Sequence, residues 1–181
     1  MFIDTRNFLK AIGDALIALE WTPDEGDAQK VFDAVAYYDS ARAAEAVQQL
    51  LSFSSSMAVI VPDINRFRNT EDVDGLFSVK TLEIDILFTG RSYSPTNQTE
   101  NFLGMIEQDG TWTVDADNLG LLGMVDEVID ALSGKSFQDS GPLKPVFGEP
   151  LEISQEDSST VRKSYLLTFE CEAGEAEFTL I

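Results

Sequence analysis

Two stretches near the amino terminus have hydrophobic residues at the three- and four-residue spacing of an amphipathic helix. The first follows Asp4, a suitable N-cap residue, and we expect this helix to end near Trp21 because Pro23 disfavours helical geometry in the residue before it. The second, residues 40–51, consists mainly of alanine and other strong helix formers. The pattern therefore predicts two amphipathic helices in this part of the chain.

A third amphipathic helix is predicted over residues 121–132, where large apolar residues again recur at helical spacing. Either Asp117 or Asn118 precedes it and is expected to cap its first turn. Gly134 follows it, at a position where the backbone is commonly left-handed. Residues 134–150 contain glycine and proline and are interpreted as a connection.

Alternation of apolar and other residues predicts β-strands, most clearly over residues 82–88. There, large apolar residues occupy the even-numbered positions and two acids lie between them, so we expect one face in the core and the other mostly in solvent. The residues of 31–38 predict a strand, although their alanine content also allows a helix. Further strands are predicted over residues 57–61, which Pro62 is expected to stop, 151–154, 165–171 and 178–181.

Two of the segments between these elements are longer than short turns. Residues 63–79 are polar with isolated large apolar side chains, which predicts a long loop. Residues 101–116 contain Asp109-Gly110, a strong signal for a two-residue turn, and are interpreted as a small hairpin insertion. The whole order predicts one α+β domain, residues 1–181, with about three helices packed on a mostly antiparallel sheet.

Charge and composition exclude several kinds of function. The chain has 12 basic and 32 acidic residues, a net charge of −20, and no histidine. Imidazole catalysis and histidine metal ligation are therefore excluded, and nucleic-acid binding is not expected because it depends on basic contacts to phosphate. The sequence also lacks a phosphate-binding glycine loop, a nucleophile elbow and a C-x-x-C motif. We interpret the protein as non-enzymatic and expect no cofactor.

The amino-terminal sequence indicates where the protein is located. The chain does not open with a basic segment and an apolar stretch, and no window approaches the roughly 18 apolar residues of a membrane helix. We therefore expect no signal peptide, no membrane contact and assembly in a cytoplasm.

Cys171 lies in an apolar stretch and is interpreted as a small core residue rather than a reactive thiol.

The best metal candidate lies before and within the third predicted helix. Asp115 and Asp117 match the first and third ligand positions of a calcium loop, but Leu119 stands at the fifth position and Asp126 replaces the usual twelfth-position glutamate. Capping of the helix by Asp117 explains the same acids without an ion. We predict no metal site, with calcium at Asp115, Asp117 and Asp126 as the weaker alternative.

In this acidic chain, Arg66, Phe67 and Arg68 form a short basic segment within the predicted long loop. Arginine and aromatic residues are enriched in interface hot spots, and the acidic surface of a neighbouring copy offers these arginines a complementary partner. We predict that residues 66–68 contact a second copy or another partner. An ordinary loop with local ion pairs is the alternative.

The order of elements resembles that of the tail-terminator, or tail-completion, proteins of long-tailed bacteriophages and of related minor tail and neck proteins. The resemblance covers about residues 5–170 and rests on the order of the elements and the pattern of hydrophobic residues within them. Its features are an amphipathic first helix, a short β segment, an Ala-rich helix, a strand ending in Val-Pro (59–62), a long alternating strand (82–88), an acidic amphipathic helix (122–132) and closing strands near 147–153 and 164–169.

This resemblance implies a structural protein of the virion. Members of the family assemble as rings, typically hexamers, that cap the last tail-tube ring, stop tube growth and present a surface for joining the head. For this chain it implies a homo-oligomeric ring, contacts with a tail-tube protein and with a neck or head-completion protein, and a place in the virion tail after assembly in the host cytoplasm. The alternative is an acidic cytoplasmic binding or adaptor module without catalytic activity.

Overall fold

The computed structural model describes residues 3–24, 26–38, 45, 50, 56–72, 75–90, 98–154 and 161–178. In chain order its elements are α1 (Thr5–Ala18), β1 (Glu20–Trp21), β2 (Gln29–Lys30), β3 (Ala34–Tyr37), β4 (Met57–Asp72), β5 (Gly75–Thr89), α2 (Gln98–Leu103), β6 (Met105–Gln108), β7 (Thr111–Val114), α3 (Gly120–Leu132), β8 (Lys144–Ser154) and β9 (Val161–Phe178).

Five strands form the main sheet, in the order β3-β4-β5-β9-β8. β3 is parallel to β4, and all other neighbours are antiparallel. β1 with β2, and β6 with β7, form two separate antiparallel pairs. The α+β fold with a mostly antiparallel sheet is therefore confirmed.

Two of the three predicted helices can be compared in full with the structure. α1 and α3 lie where helices are predicted, and the short α2 is an additional helix. Of the predicted helix over residues 40–51, only Glu45 and Leu50 are described, and both are helical. The rest of that segment lies outside the described residues.

Helix α1 begins where the sequence predicts and ends earlier. The Asp4 carboxylate accepts a hydrogen bond from the Arg6 amide at 2.9 Å and so caps the first turn. The helix ends at Ala18 because Trp21 pairs with Gln29 in the β1–β2 sheet. Its buried face packs into the main core through Phe8, Ile12 and Leu16.

The prediction of a long loop over residues 63–79 is wrong. β4 continues through Pro62, and β5 starts soon after β4 ends, so the two strands form a long hairpin. The register shifts between Pro62 and Ile64, and such a bulge accommodates a residue that has no N–H group to donate. β9 pairs with β5 along most of its length. We call the three-stranded extension formed by residues 63–72, 75–81 and 172–178 the arm.

The main sheet is covered on both faces next to the arm. The main core, on the face that α1 and α3 cover, includes Phe88 and Phe169, both fully buried. The opposite face carries a smaller core made of Leu50, Met57, Val59, Val61 and Leu87. The expectation that this second face of β5 lies mostly in solvent was therefore wrong at Leu87, which is buried beside the residues of β4.

The predicted hairpin within residues 101–116 is confirmed as the β6–β7 pair. Asp109 and Gly110 have φ angles of 52° and 77°, as the two central residues of a type I′ turn require. α2 lies directly before this hairpin and contacts α3, and among the described strands none of the main sheet pairs with β6 or β7.

The carboxyl-terminal strands are longer than the sequence predicts. Gly134 has the expected left-handed backbone, with φ 73°, but β8 already starts at Lys144 inside the predicted connection 134–150. β9 includes the predicted strand 165–171 and extends it in both directions. Of the predicted strand 178–181, only Phe178 lies in the described residues, where it ends β9.

Candidate interaction site

A groove of ≈ 490 Å³ opens where the turn after β1, the base of the β6–β7 hairpin and the first half of α3 meet. The end of β1, the base of the hairpin and α3 contribute apolar side chains to the groove. The apolar lining consists mainly of Trp21, Leu103, Met105, Val114, Leu119 and Leu122. This surface is concave and mainly apolar, as ligand-binding pockets commonly are.

Two glycines fix the base of the hairpin. Gly104 and Gly120 both have left-handed backbones, with φ 66° and 65°. A Cβ atom on Gly120 would lie 2.2 Å from the Gly104 nitrogen, and one on Gly104 would lie 2.5 Å from the Leu119 carbonyl oxygen. The Asp115 amide donates to the Gly104 carbonyl at 2.9 Å and so closes the hairpin. The position of the hairpin beside α3 therefore requires residues without side chains at both points.

The first turn of α3 is held by an amide side chain. Asn118 Oδ1 accepts a hydrogen bond from the Gly120 amide at 3.1 Å, and Asn118 Nδ2 donates to Asn101 Oδ1 at 2.9 Å. This second bond ties α3 to α2. The N-cap residue itself is Leu119, so the prediction of Asp117 or Asn118 at that position was wrong, although Asn118 does satisfy a helix amide.

Acidic side chains also line the groove. Asp24, Asp115 and Asp126 line the groove, and no lysine or arginine is among its described lining residues. On the same helix, burial raises the pKa of Glu127, and the like charges of Asp130 and Asp126 raise it further. The groove therefore combines apolar and acidic side chains, without a basic one among its described lining residues.

The weaker calcium alternative is not supported by the geometry. Within the described ranges, no group of three or more histidine, cysteine or acidic residues is arranged to hold a metal ion. The Asp115 carboxylate instead accepts a hydrogen bond from the Asp117 amide at 3.1 Å. Asp126 lies within α3 and lines the groove, so Asp115, Asp117 and Asp126 are not gathered into a calcium loop.

An exposed apolar surface continues from the groove onto the hairpin. Met105 pairs with Val114 and Glu107 pairs with Trp112, so these four residues share one face of the β6–β7 sheet. Val114 is 77% exposed and Trp112 is 40% exposed. Tryptophan is enriched in interface hot spots, and this face extends the apolar lining of the groove outward.

The structure places residues 66–68 in the arm rather than in a loop. Arg66, Phe67 and Arg68 pair with Thr81, Lys80 and Val79 of β5, respectively. β3 pairs with β4 only as far as Ile60, and no described strand pairs with that edge of β4 farther along. The basic segment therefore lies on a strand with an open edge in the described structure. Charged residues on an open strand edge discourage unspecific strand pairing.

Within the part of the chain that the structure describes, β8 forms a second open edge at the other side of the sheet. Val146 is 54% exposed and Phe147 is 50% exposed on this strand. The register shifts between Pro145 and Phe147, and Pro150 adds another position without an N–H donor. Bulges and prolines of this kind limit edge-to-edge pairing, so this strand offers side-chain contacts more readily than a regular ladder.

Cys171 has the properties of a core residue, as predicted. It is 3% exposed and belongs to the main core. Burial raises the pKa of its thiol to about 11, against the opposing effect of a hydrogen bond with Ser140. A thiol with such a pKa is almost entirely protonated at neutral pH and is a poor nucleophile.

The sequence identified the basic segment of the arm but not the groove. The groove is assembled from residues 21–24, 103–105 and 114–126, which are distant in sequence and contain no ligand or catalytic motif. The available signal was the pair of glycines on either side of the hairpin, Gly104 and Gly120. Their need for a close backbone approach becomes evident only when the two segments are seen side by side.

No protein-family model and no curated protein matches this chain. None of the helices in the described part of the chain is both long and apolar enough to cross a membrane. The structure thus shows an acidic α+β fold with an apolar groove beside α3.

Proposed function

We propose that this protein is a structural protein of a bacteriophage virion, of the tail-terminator type. In this role it forms a ring that caps the tail tube and connects it to the neck. The observation that carries the proposal is the placement of two unlike surfaces at separate places on one structure. The basic segment lies on the arm, whereas the groove beside α3 is lined by apolar and acidic residues.

Unlike surfaces at separate places on one subunit favour head-to-tail contacts. Such contacts are heterologous, and they produce a closed ring when the rotation between neighbouring subunits closes on itself. A self-complementary dimer instead needs one patch that matches itself. The two unlike surfaces therefore suit a ring better than an isolated pair.

The net charge of −20 also fits a ring around a DNA channel. A surface of this charge repels the phosphate backbone, and repulsion in a lumen permits DNA to pass without binding. The same charge opposes unspecific association between copies. Assembly then depends on local surfaces where charge is inverted or apolar side chains are exposed.

Native mass spectrometry and electron microscopy of the purified protein test ring formation. We expect one closed cyclic species with a central hole at micromolar concentration. A protein that stays monomeric as its concentration is raised to the millimolar range contradicts ring formation and favours the adaptor alternative.

Capping is tested separately, in the virus that encodes the chain. Loss of the protein should give tail tubes of irregular length that do not join heads, and expression from a plasmid should restore normal tails. Tails of normal length that join heads in the absence of the protein overturn the terminator role, whatever its oligomeric state.

A further inference from the structure

We propose that the groove receives the start of β8, residues 144–147, of a second copy, in a head-to-tail contact. This inference rests on the ring assembly proposed above and names two surfaces that meet in it. The described lining of the groove consists of apolar side chains and three aspartates, without a lysine or arginine. A matching occupant is both apolar and basic, and the start of β8 has both properties.

The start of β8 presents one basic and two large apolar side chains to solvent. Lys144 is exposed, and Val146 and Phe147 are 54% and 50% exposed. Lys144 pairs with Glu170 and Phe147 pairs with Thr168, so these two residues of β8 lie on the same face of the sheet. The register shift between them makes this possible, because it adds one residue to β8. One partner surface can therefore contact both side chains.

Opposite charges favour this pairing of surfaces. The ion pairs among the described residues lie at α1 and between β1 and β2, and none of them includes Lys144 or an acid of the groove. An ammonium group beside a carboxylate in a partly enclosed groove forms a charge-assisted hydrogen bond. Phenylalanine is enriched in interfaces, and the apolar lining offers Phe147 a matching surface. Two copies with a net charge of −20 each need such a local attraction to associate.

The start of β8 cannot fill the groove of its own chain. Leu143, directly before β8, accepts a hydrogen bond from the Gly134 amide at 2.8 Å and donates one to the Lys135 carbonyl at 2.9 Å. Both partners follow the carboxyl end of α3, whereas α3 lines the groove only as far as Asp126. The helix rises roughly 9 Å from Asp126 to its last residue, Leu132. Because pairing with β9 also fixes β8 in the sheet, only another copy can supply the occupant.

This placement produces a heterologous contact. Each copy offers the groove at one end of α3 and the start of β8 near the other end, so successive copies associate head to tail and can close into a ring. The groove is also held in shape before binding. The close crossing of Gly104 and Gly120 and the hydrogen bond between Asn118 and Asn101 join its walls. A preformed surface loses less conformational freedom on association.

Charge exchange within one chain tests the contact. K144E reverses the charge at the start of β8, and D24K and D126K each reverse an exposed acid of the groove. Asp115 is left unchanged because its carboxylate accepts a hydrogen bond from a backbone amide. Each single variant should raise the dissociation constant between subunits at least about fivefold in sedimentation velocity, since like charges then meet. K144E/D24K or K144E/D126K should restore the wild-type constant.

Net charge predicts a different pattern. K144E lowers the net charge from −20 to −22, D126K raises it from −20 to −18, and K144E/D126K returns it to −20. Overall repulsion would therefore weaken assembly in the first variant and strengthen it in the second. K144E/D130K is the matched control, because Asp130 is an exposed acid of the same helix and is not among the lining residues of the groove. Its net charge is also −20, yet it should assemble as weakly as K144E.

The substitution F147A tests the apolar part of the contact. It should raise the dissociation constant at least about tenfold, as expected for an aromatic side chain buried in an interface. I17A removes another exposed large side chain, on α1 and outside both surfaces, and should leave assembly unchanged. Circular dichroism of all variants should show an unchanged fold, so that a loss of assembly reports the contact.

The outcomes distinguish the inference from the function on which it rests. If the wild type forms rings but K144E, F147A or both groove variants assemble normally, the contact is refuted while ring assembly stands. The same conclusion follows if neither charge exchange restores assembly, or if K144E/D130K restores it equally well. If the wild type forms no higher species at any concentration, both the contact and the ring are refuted. Recovery with an acid of the groove, and not with Asp130, supports the contact.

Discussion

The substitution Gly120→Ala tests whether the hairpin crosses the start of α3 as closely as the structure shows. Gly120 has φ 65°, and its missing side chain leaves room for the backbone of Gly104. An added Cβ atom would lie 2.2 Å from the Gly104 nitrogen and 2.5 Å from its Cα atom. Both are backbone atoms, so no side chain can rotate away to relieve the contact.

Two effects set the expected cost. A left-handed backbone costs an alanine roughly 1–2 kcal/mol relative to glycine. Separating the two segments also strains the hydrogen bonds that Gly104 makes with Glu100 at 2.7 Å and with Asp115 at 2.9 Å. Each such bond contributes about 1 kcal/mol net, so the full loss of stability should be about 3–4 kcal/mol.

Gly134→Ala and Gly110→Ala are matched controls for the backbone effect. Both glycines are left-handed, with φ 73° and 77°, and nothing lies within 4 Å of an added Cβ atom. Each control should cost only roughly 1–2 kcal/mol. Urea unfolding followed by far-UV circular dichroism gives the three values. If Gly120→Ala costs no more than Gly134→Ala, the close crossing is refuted, and with it the geometry of the groove.

Three further predictions concern the core, the thiol and the first helix. Phe88→Ala should lower the free energy of unfolding by about 3–5 kcal/mol, measured with urea, because Phe88 is fully buried. Phe147→Ala, at a half-exposed edge position, should change stability little. Equal effects of the two substitutions contradict the assigned core. Cys171 should react with iodoacetamide on the order of 100-fold more slowly in the folded than in the unfolded protein at pH 8, because its pKa is about 11; fast labelling of the folded protein refutes its burial. The side-chain hydrogen bond from Arg6 lowers the pKa of Asp4 from 3.8 to about 2, so the ionised cap stabilises the fold fully above the unfolded pKa and loses this effect as the pH falls through about 2. The stability difference between the wild type and Asp4→Asn should therefore decrease from about pH 4 to pH 2, and a constant difference argues against the cap.

The elements that depend on local chemistry could be predicted from the sequence. The capping carboxylate of Asp4, the turn at Asp109-Gly110 and the left-handed Gly134 all act within a few residues of themselves, and the structure has each of them. Residues 63–79 were misjudged because they lack the apolar alternation of a strand. Their strands are defined by pairing with each other and with β9, an interaction between distant segments that has no local signature.

The smaller core also shows a limit of prediction from the sequence. Leu87 lies at the position of an exposed face in the alternating strand, yet it is buried with Met57, Val59 and Val61 of β4 and with Leu50. Alternation indicates which residues share a face, but the number of covered faces depends on what packs there. The apolar residues at odd-numbered positions of β4 indicate that this second face is covered, but this becomes clear only once β4 is known to pair with β5.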